Sequence, residues 1–255
     1  MTTAAFAPDH PGADIRPSPN FGDRRDGRPV DLLLLHYTGM ETGQGAEDWL
    51  CDPRSEVSCH YIVHEDGRVV QMVPEEKRAW HAGRSFWKGE TDINSCSVGI
   101  EIVNGGHEFG LPGYPDRQID AVIAVSRGIV VRHGIAPERV LAHSDVAPGR
   151  KRDPGELFPW RRLAQQGIGH WVEPSPSVGG RFFAQGDSGQ PVEALQSMLA
   201  LYGYRAAITG VFDENTAADV AAFQRHFRPG RVDGVADIST IDTLHRLLAA
   251  LPAYA

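Results

Sequence analysis

Three residues that can bind a metal stand where the chain is expected to leave its core. His143 follows a short apolar stretch. The loop after it is rich in proline and glycine, so it suits neither a helix nor a central strand, and it could bring Asp153 back toward His143. His36 closes an apolar run whose four consecutive leucines indicate a strand covered on both faces. Two imidazoles and one carboxylate would leave the fourth position of a tetrahedral zinc ion open for water, as in catalytic zinc sites. The residues favour such a site, although the chain has 11 histidines and each alone has simpler explanations.

Four motifs accompany these residues in a fixed order. They are HYTGM at 36–40, SCHYIVHEDGRVVQMVPEEKRAWHAG at 58–83, NSCSVGIEIVN at 94–104 and AHSDVAPGRKRDPG at 142–155. Over residues 28–166 the chain therefore resembles the zinc-dependent N-acetylmuramoyl-L-alanine amidases, which share the fold of peptidoglycan recognition proteins. The resemblance implies roles for five residues: zinc ligands at His36, His143 and Asp153, a catalytic acid/base at Glu101 and an oxyanion-stabilising cation at Lys151.

The chemistry of amide hydrolysis agrees with the two catalytic roles. It needs an activated water, a stabilised oxyanion and a proton for the leaving amine. Glu101 lies between two isoleucines in an alternating stretch, so its carboxylate faces away from them. Lys151 lies two residues before Asp153 and could place a positive charge beside the oxyanion. Without the resemblance, Glu101 is more simply interpreted as a solvent-facing residue of an edge strand. Lys151 is then more simply a solvated charge on a loop.

The resemblance also implies a substrate groove lined by Trp80, His81, Asn94 and Arg150. An indole and an imidazole on a loop suit a sugar face or a peptide bond, but Trp80 could equally be a lid on the core. Asn94 could bind the substrate or cap its own loop. A second metal pair at His60 and His64 is a weaker hypothesis, since histidines in a sheet are usually half-buried without a ligand role.

Composition limits the class of protein. The chain has 255 residues, 41% of them apolar, and a formal net charge of -8, which argues against electrostatic binding of nucleic acid. Its three cysteines, at positions 51, 59 and 96, favour reduced thiols over a disulfide framework. Residues 1–28 contain no apolar run suited to a signal sequence or a membrane span. We therefore expect a cytoplasmic monomer, with the periplasm as the alternative location.

The pattern along the chain predicts an α/β fold with a mixed central sheet flanked by helices, followed by a small three-helix domain. Residues 1–27 are expected to form an extended arm, residues 28–170 the zinc amidase domain and residues 171–185 a linker. Within the amidase domain, we expect a hairpin over 57–73, a helix over 118–133 and a short strand over 139–142 that delivers His143.

The last part of the chain, residues 186–251, is read as a separate unit of three short helices. GDSG at 186–189, the turn GVFD at 210–213 with Asp213 as a helix N-cap, and AAFQ at 221–224 resemble the peptidoglycan-binding module attached to many wall hydrolases. The segment HFRPGRVDGVAD at 226–237 is less regular than the usual module. Its expected role is recognition of substrate or partner, without catalysis.

Together these features predict a zinc hydrolase that cleaves the amide between N-acetylmuramic acid, or its anhydro form, and L-alanine of peptidoglycan stem peptides. The missing signal and unpaired cysteines favour recycling of soluble muropeptides. The binding module favours the alternative, an exported amidase acting on polymeric murein. A catalytically silent muropeptide sensor is the third hypothesis, ranked lower because such relatives typically lose a zinc ligand and this chain keeps all three.

Overall fold

The computed structural model describes residues 6–176, 180 and 182–251. Residues 1–5 of the expected arm and residues 177–179 and 181 of the expected linker thus lie outside the described part. The strands are β1 (Asp14–Ile15), β2 (Phe21–Asp23), β3 (Leu32–Tyr37), β4 (Tyr61–Val63), β5 (Val69–Gln71), β6 (Lys77–Ala79), β7 (Ser97–Ile102) and β8 (Val140–Ala142). The α-helices are α1 (Gly43–Cys51), α2 (Ile93–Cys96), α3 (Asp116–His133), α4 (His143–Val146), α5 (Trp160–Ala164), α6 (Gln190–Tyr202), α7 (Glu214–Phe227) and α8 (Ile238–Ala249).

Six strands form the central sheet in the order β1-β5-β4-β7-β3-β8, and β2 pairs with β6 in a separate two-stranded sheet. β3 runs parallel to both β7 and β8, whereas β4 and β5 are antiparallel and form the expected hairpin. The sheet is therefore mixed, and the predicted α/β class is confirmed. Since β3, β7 and β8 are parallel, their carboxyl ends meet at one edge of the sheet.

Local signals explain where several helices begin and end. Thr42 caps α1 by accepting a hydrogen bond from the backbone of Gly45 at 3.1 Å. α3 ends at Gly134, which has a φ of 63° and so adopts the left-handed conformation that glycine tolerates best. Asp213 caps α7 through the Thr216 amide at 2.8 Å, as the sequence predicts.

The consecutive leucines of β3 are divided between the two faces of the sheet. Leu33 and Leu35 pack into a cluster with apolar residues of α3, while Leu32 and Leu34 belong to a second cluster on the opposite face. All four side chains are fully buried, as expected for a strand covered on both sides. The second cluster includes residues of α6, α7 and α8, so the C-terminal helices cover part of that face.

The C-terminal helices are thus packed onto the amidase part and share a core with it. Trp87, fully buried, lies edge-on against the rings of Tyr202 and Tyr204. Gly203 lies between these tyrosines with a φ of 148°, and a Cβ there would approach the Trp87 ring to 2.5 Å. Only glycine suits this position, because it has no Cβ and tolerates positive φ.

The irregular segment at 226–237 repeats a hydrogen-bonding pattern found earlier in the same helical unit. Gln196 of α6 accepts hydrogen bonds from the backbones of Thr209 and Gly210, and its amide donates to the next turn. Gln224 of α7 does the same for Asp233 and Gly234. Each turn is followed by an aspartate N-cap, so both helix–turn–helix connections are built alike despite their different sequences.

The described part of the N-terminal segment is paired with both sheets. β1 lies parallel to β5, and β2 is antiparallel to β6. Arg24 extends inward and donates hydrogen bonds to the carbonyl groups of Glu75, Ser95 and Ser97. Among the described residues, no helix combines the length and apolar character needed to cross a membrane.

Candidate metal centre

His36, His143 and Asp153 meet at the carboxyl end of the parallel strands. β3 carries His36, α4 begins with His143 directly after β8, and the following loop returns Asp153. Nδ1 of His36 lies 2.9 Å from Nδ1 of His143, and these atoms lie 3.0 and 2.9 Å from Oδ2 of Asp153. The three residues are buried, with 1, 2 and 4% of their surface exposed. Across the described ranges, this is the one group of residues found that could hold a metal ion.

Two of these groups have the protonation states that metal binding requires. Burial, followed by the neighbouring His143, lowers the pKa of His36 to about 4, so its imidazole is neutral at pH 7. Burial alone would raise the pKa of Asp153, but contacts with His143 and His36 outweigh it and hold that pKa below its usual range. A neutral imidazole and an ionised carboxylate are the forms that bind metal.

A chain of hydrogen bonds fixes the orientation of the His36 ring. Nε2 of His36 lies 3.0 Å from Nδ1 of His81, whose Nε2 lies 3.3 Å from the Ser97 hydroxyl. That hydroxyl donates to the carbonyl of Ile93 at 2.6 Å, so it accepts from His81, and His81 in turn accepts from His36. Nδ1 of His36 therefore keeps a free lone pair facing the other two ligands, an arrangement typical of residues that support metal ligands.

The loop that carries His81 also supports His143. Nε2 of His143 donates to the carbonyl of Ala82 at 3.0 Å. The side-chain oxygen of Asn94 accepts from the backbones of His81 and Ala82 at 3.0 and 2.8 Å. Asn94 thus caps this loop, and it is not among the residues that line the cavity described below. Capping of its own loop is the alternative that the sequence left open, and it connects Asn94 to the partners of both His36 and His143. A contact of Asn94 with substrate stays a prediction.

Gly99 of β7 provides the space for His81, and we expect Gly99→Ala to weaken metal binding. A Cβ at Gly99 would approach Nδ1 of His81 to 2.5 Å and would force the buried ring away from His36. Loss of such a supporting contact typically lowers metal affinity about 10- to 100-fold. The affinity can be measured with Zn²⁺ by competition against a chelator. Gly22→Ala is the matched control, because Gly22 also lies in a strand but has nothing within 4 Å of its added Cβ; equal affinities in both variants would contradict this role for Gly99.

Glu101 lies beside His36, because the two residues are register partners on the adjacent strands β7 and β3. β7 is an inner strand, so the alternative of a solvent-facing edge position is wrong. Oε2 of Glu101 is buried and has no hydrogen-bond partner among the described residues. Burial and then the charge of Asp153 raise the pKa of Glu101 well above its usual value, while Lys151 acts in the opposite direction. A carboxyl group in this setting is suited to proton transfer.

A cavity of about 430 Å³ has His36, His143, Asp153 and Glu101 in its wall. Lys151 also lines it, and within the described ranges its ammonium group makes no hydrogen bond or ion pair. Arg150 lines the cavity too, but Nη2 of its guanidinium donates to the carbonyl groups of Ala82 and Arg84, both at 2.8 Å. Part of that guanidinium therefore orders the His81 loop rather than facing the cavity.

The remaining expected groove residues, Trp80 and His81, both line this cavity, Trp80 as a half-buried side chain. Sequence reasoning missed Trp49 on α1, which lines the same cavity with 50% of its surface exposed. A large exposed indole on a helix next to a motif histidine is a signal that could have found it. Trp80 and Trp49 thus offer two aromatic surfaces to a ligand.

The second metal pair at His60 and His64 does not form. His60 lies within hydrogen-bond distance of the Gly99 amide and the Lys77 carbonyl, at 2.9 and 3.0 Å. His64 lies 2.6 Å from a carboxylate oxygen of Glu47. Both imidazoles have protein partners, and among the described residues neither belongs to a group that could hold a metal ion.

Comparison with known families gives two matches. Residues 26–156 match the family described as N-acetylmuramoyl-L-alanine amidase, and residues 188–244 match the one described as putative peptidoglycan binding domain. Among curated proteins, the chain is 39% identical over 227 residues to N-acetylmuramoyl-L-alanine amidase AmiD of Escherichia coli K12, covering 83% of this chain and 79% of the relative. It is 33% identical over 169 residues to 1,6-anhydro-N-acetylmuramyl-L-alanine amidase AmpD of the same organism, covering 60% and 90%.

Solved structures show the same relationship. The chain is similar to E. coli AmiD in complex with anhydro-N-acetylmuramic acid-L-Ala-D-gamma-Glu-L-Lys, with a TM-score of 0.74, 37% identity and coverage of 88% of this chain and 91% of that one. It is also similar to AmpDh3 of Pseudomonas aeruginosa in complex with anhydromuramic pentapeptide, with a TM-score of 0.70, 29% identity and coverage of 96% and 97%. Both similarities extend over the helical C-terminal unit as well as the sheet.

Proposed function

The chain belongs to the N-acetylmuramoyl-L-alanine amidase family, and from this membership we propose how its residues carry out the reaction, with zinc bound by His36, His143 and Asp153. It is an amide hydrolase that separates N-acetylmuramic acid, in ordinary or anhydro form, from the L-alanine of a stem peptide. The observation that carries the zinc assignment is the buried triangle of two imidazole nitrogens and one carboxylate oxygen.

The donor set and its dimensions fit zinc. Ligand atoms of a tetrahedral zinc site, with bonds of about 2.0–2.1 Å, are separated by about 3.3 Å. The three separations here, 2.9–3.0 Å, are slightly shorter, so a small outward movement of the side chains accommodates the ion. When bound, zinc would activate water for attack and polarise the scissile carbonyl.

Glu101 is proposed to transfer the proton. It lies in the cavity wall beside His36, and its Oε2 has no hydrogen-bond partner in the described part of the chain. A nearby dication lowers the pKa of a carboxyl group, so Glu101 would be ionised in the loaded enzyme and able to accept a proton from the attacking water. After water has added to the carbonyl carbon, the same proton passes to the amide nitrogen as the carbon–nitrogen bond breaks, which leaves a lactyl carboxyl group and a free peptide amine.

Lys151 is proposed to stabilise the oxyanion that forms when water adds to the carbonyl. Its ammonium group has no partner among the described residues, and its side chain lines the cavity that holds Glu101 and the ligand cage. A positive charge in a partly closed site stabilises developing negative charge more strongly than it would in water. Trp80, Trp49 and the free part of Arg150 are proposed to hold the muramic acid and peptide portions of the substrate.

The proposed substrate is a soluble anhydro-muropeptide, released during peptidoglycan turnover. Two solved relatives contain such ligands, an anhydromuramic tripeptide in AmiD and an anhydromuramic pentapeptide in AmpDh3. The match of residues 188–244 to a peptidoglycan binding domain favours polymeric murein as a second candidate. The sensor hypothesis has less support, because all three proposed ligands converge with Glu101 beside them.

We propose a cytoplasmic location, which the free state of Cys51, Cys59 and Cys96 supports, since disulfides are rare in that compartment. The periplasm is the alternative. The expected monomeric state stays a prediction, because none of the described contacts bears on it.

Product analysis on two substrates tests the proposed function. We expect the purified protein to release free peptide from soluble anhydro-muropeptide, to lose this activity with a chelator and to recover it when Zn²⁺ is restored. Intact murein sacculi are assayed in parallel. Release from sacculi at a comparable rate would favour the wall hydrolase, whereas peptide release that persists without metal would contradict the zinc assignment.

A further inference from the structure

Asp145, in the middle of the short helix α4, is a buried carboxylate with three hydrogen-bond donors. It has 0% of its surface exposed. Oδ2 accepts from the backbone amide of Ala142 at 2.8 Å and from Nδ1 of His226 at 2.6 Å. Oδ1 accepts from the hydroxyl of Tyr204 at 2.7 Å. A carboxylate so completely removed from water depends on these partners, because an unpaired buried charge is costly.

Two of the three donors come from the C-terminal helical unit. Tyr204 follows α6 and His226 lies on α7, and each has 2% of its surface exposed. The His226 ring is stacked between Trp160 and Phe227, with both centroid distances 3.7 Å. Tyr204 is held edge-on against Trp87 at 5.1 Å. Aromatic packing thus holds both donors in one orientation toward Asp145.

Asp145 in turn holds the backbone that carries the proposed metal ligands. Its bond to the Ala142 amide fixes the start of α4, whose first residue is His143. The next backbone amide, that of Ser144, donates to the carbonyl of Asp153 at 3.0 Å. A displacement of α4 would therefore move His143 and Asp153 together.

We propose that the C-terminal helices are a structural part of the metal centre, in which Tyr204 and His226 position His143 and Asp153 through Asp145. This inference rests on the proposed zinc site and goes beyond the match with a putative peptidoglycan binding domain, whose description names a binding role. Tyr204, His226 and Asp145 are then positioning residues, which affect hydrolysis without contacting the substrate. On this basis the helical unit is required for hydrolysis of small soluble substrates as well as of polymers.

Paired tyrosine variants of the full chain test the inference. Tyr204→Phe removes the hydroxyl that reaches Asp145 and keeps the ring. Tyr202→Phe is the matched control, because Tyr202 is also buried and also packs against Trp87. Its hydroxyl also forms a hydrogen bond with the amidase part, but the partner is Nδ1 of His170, at 2.9 Å, instead of Asp145. We expect Tyr204→Phe to weaken Zn²⁺ affinity about tenfold or more, as changes to groups that orient metal ligands do, and Tyr202→Phe to leave it unchanged.

Variants of His226 separate positioning from packing. His226→Phe keeps an aromatic ring but removes the donor, whereas His226→Asn loses the ring and keeps an amide donor near the place of Nδ1. We expect the Phe variant to lose Zn²⁺ affinity and the Asn variant to recover most of it, even if its thermal stability is lower. A purely structural role would give the reverse order, because the Phe variant keeps the stacking.

Zn²⁺ affinity is measured by chelator competition, alongside the melting temperature of each metal-free variant and kcat/KM on a soluble anhydro-muropeptide. Wild-type affinity in Tyr204→Phe would overturn the inference, whatever the melting temperatures are. Failure of the wild-type chain to bind Zn²⁺ would instead overturn the proposed function, so the two failures are distinguishable. If His226→Phe does not fold, the tyrosine pair decides the question alone.

Discussion

Replacement of Asp153 by alanine is expected to abolish hydrolysis and to release the metal while the chain stays folded. Asp153 supplies the single negative charge of the cage and lies within 3.0 Å of both ligand imidazoles. Its loss should lower Zn²⁺ affinity by more than the roughly 10- to 100-fold typical of supporting residues, since a ligand itself is removed. The measurements are metal content after dialysis and kcat/KM on an anhydro-muropeptide.

The fold should tolerate this change because the substitution leaves no unpaired buried charge at His36. That imidazole is already neutral at pH 7, with a pKa lowered to about 4 by burial and by His143. Glu156→Ala is the matched control: Glu156 lies in the same loop, but its carboxylate pairs with His107 at 3.0 Å. Stoichiometric zinc in Glu156→Ala together with its loss in Asp153→Ala is the expected pair of results. Full activity in a metal-free Asp153→Ala protein would refute the role of the metal.

Segments with one strong apolar pattern are the ones that sequence reasoning located well. The leucine run became the buried strand β3, and the helix predicted over 118–133 is α3, Asp116–His133. These elements are specified by their own residues, because a buried strand needs apolar side chains on both faces and an amphipathic helix needs one apolar stripe. The parallel pairing of β3 with β8 then brings His36 close to His143, although 107 residues separate them.

Contacts between distant irregular segments could not be predicted from the sequence in this way. Asp145 reads as an ordinary loop residue, and its partners Tyr204 and His226 lie 59 and 81 residues away. No periodic pattern in the sequence connects such positions. The turn-rich composition around 171–185 suggests a linker between two separate units, whereas in the structure the C-terminal helices share a hydrophobic core with the sheet. For the same reason the contact between His81 and His36 could not be predicted, although His81 lines the cavity as expected.

The proposed role of Glu101 shows what the residues and the family each contribute. Alternation in the stretch 97–103 correctly turns its side chain away from the isoleucines, but alternation is the same for an inner strand and an edge strand. The position of β7 between β4 and β3 decides that point and sets Glu101 next to His36. Only the combination of an inner strand, a buried unpartnered oxygen and an adjacent metal cage makes proton transfer the better explanation.

Replacement of Glu101 by glutamine should therefore separate metal binding from catalysis. In the metal-free protein, burial and then the charge of Asp153 raise the pKa of Glu101 well above its usual value and so favour the neutral carboxyl group. A neutral amide of the same shape should therefore cost little stability. The amide cannot accept and return a proton, and loss of a general acid/base typically lowers turnover by about 10²-fold or more. We expect wild-type Zn²⁺ content with kcat reduced by at least that factor.

Glu108→Gln is the control for this variant, since Glu108 lines the same cavity but is exposed and forms an ion pair with Arg152 at 2.7 Å. It should keep near wild-type turnover, because its carboxylate is already held by a surface cation. Glu101→Ala, which also removes the bulk of the side chain, should be no more active than Glu101→Gln. Turnover at the wild-type rate in either Glu101 variant, with zinc retained, would leave Glu101 only a structural role, and Lys151 would then have to act without a proton carrier beside it.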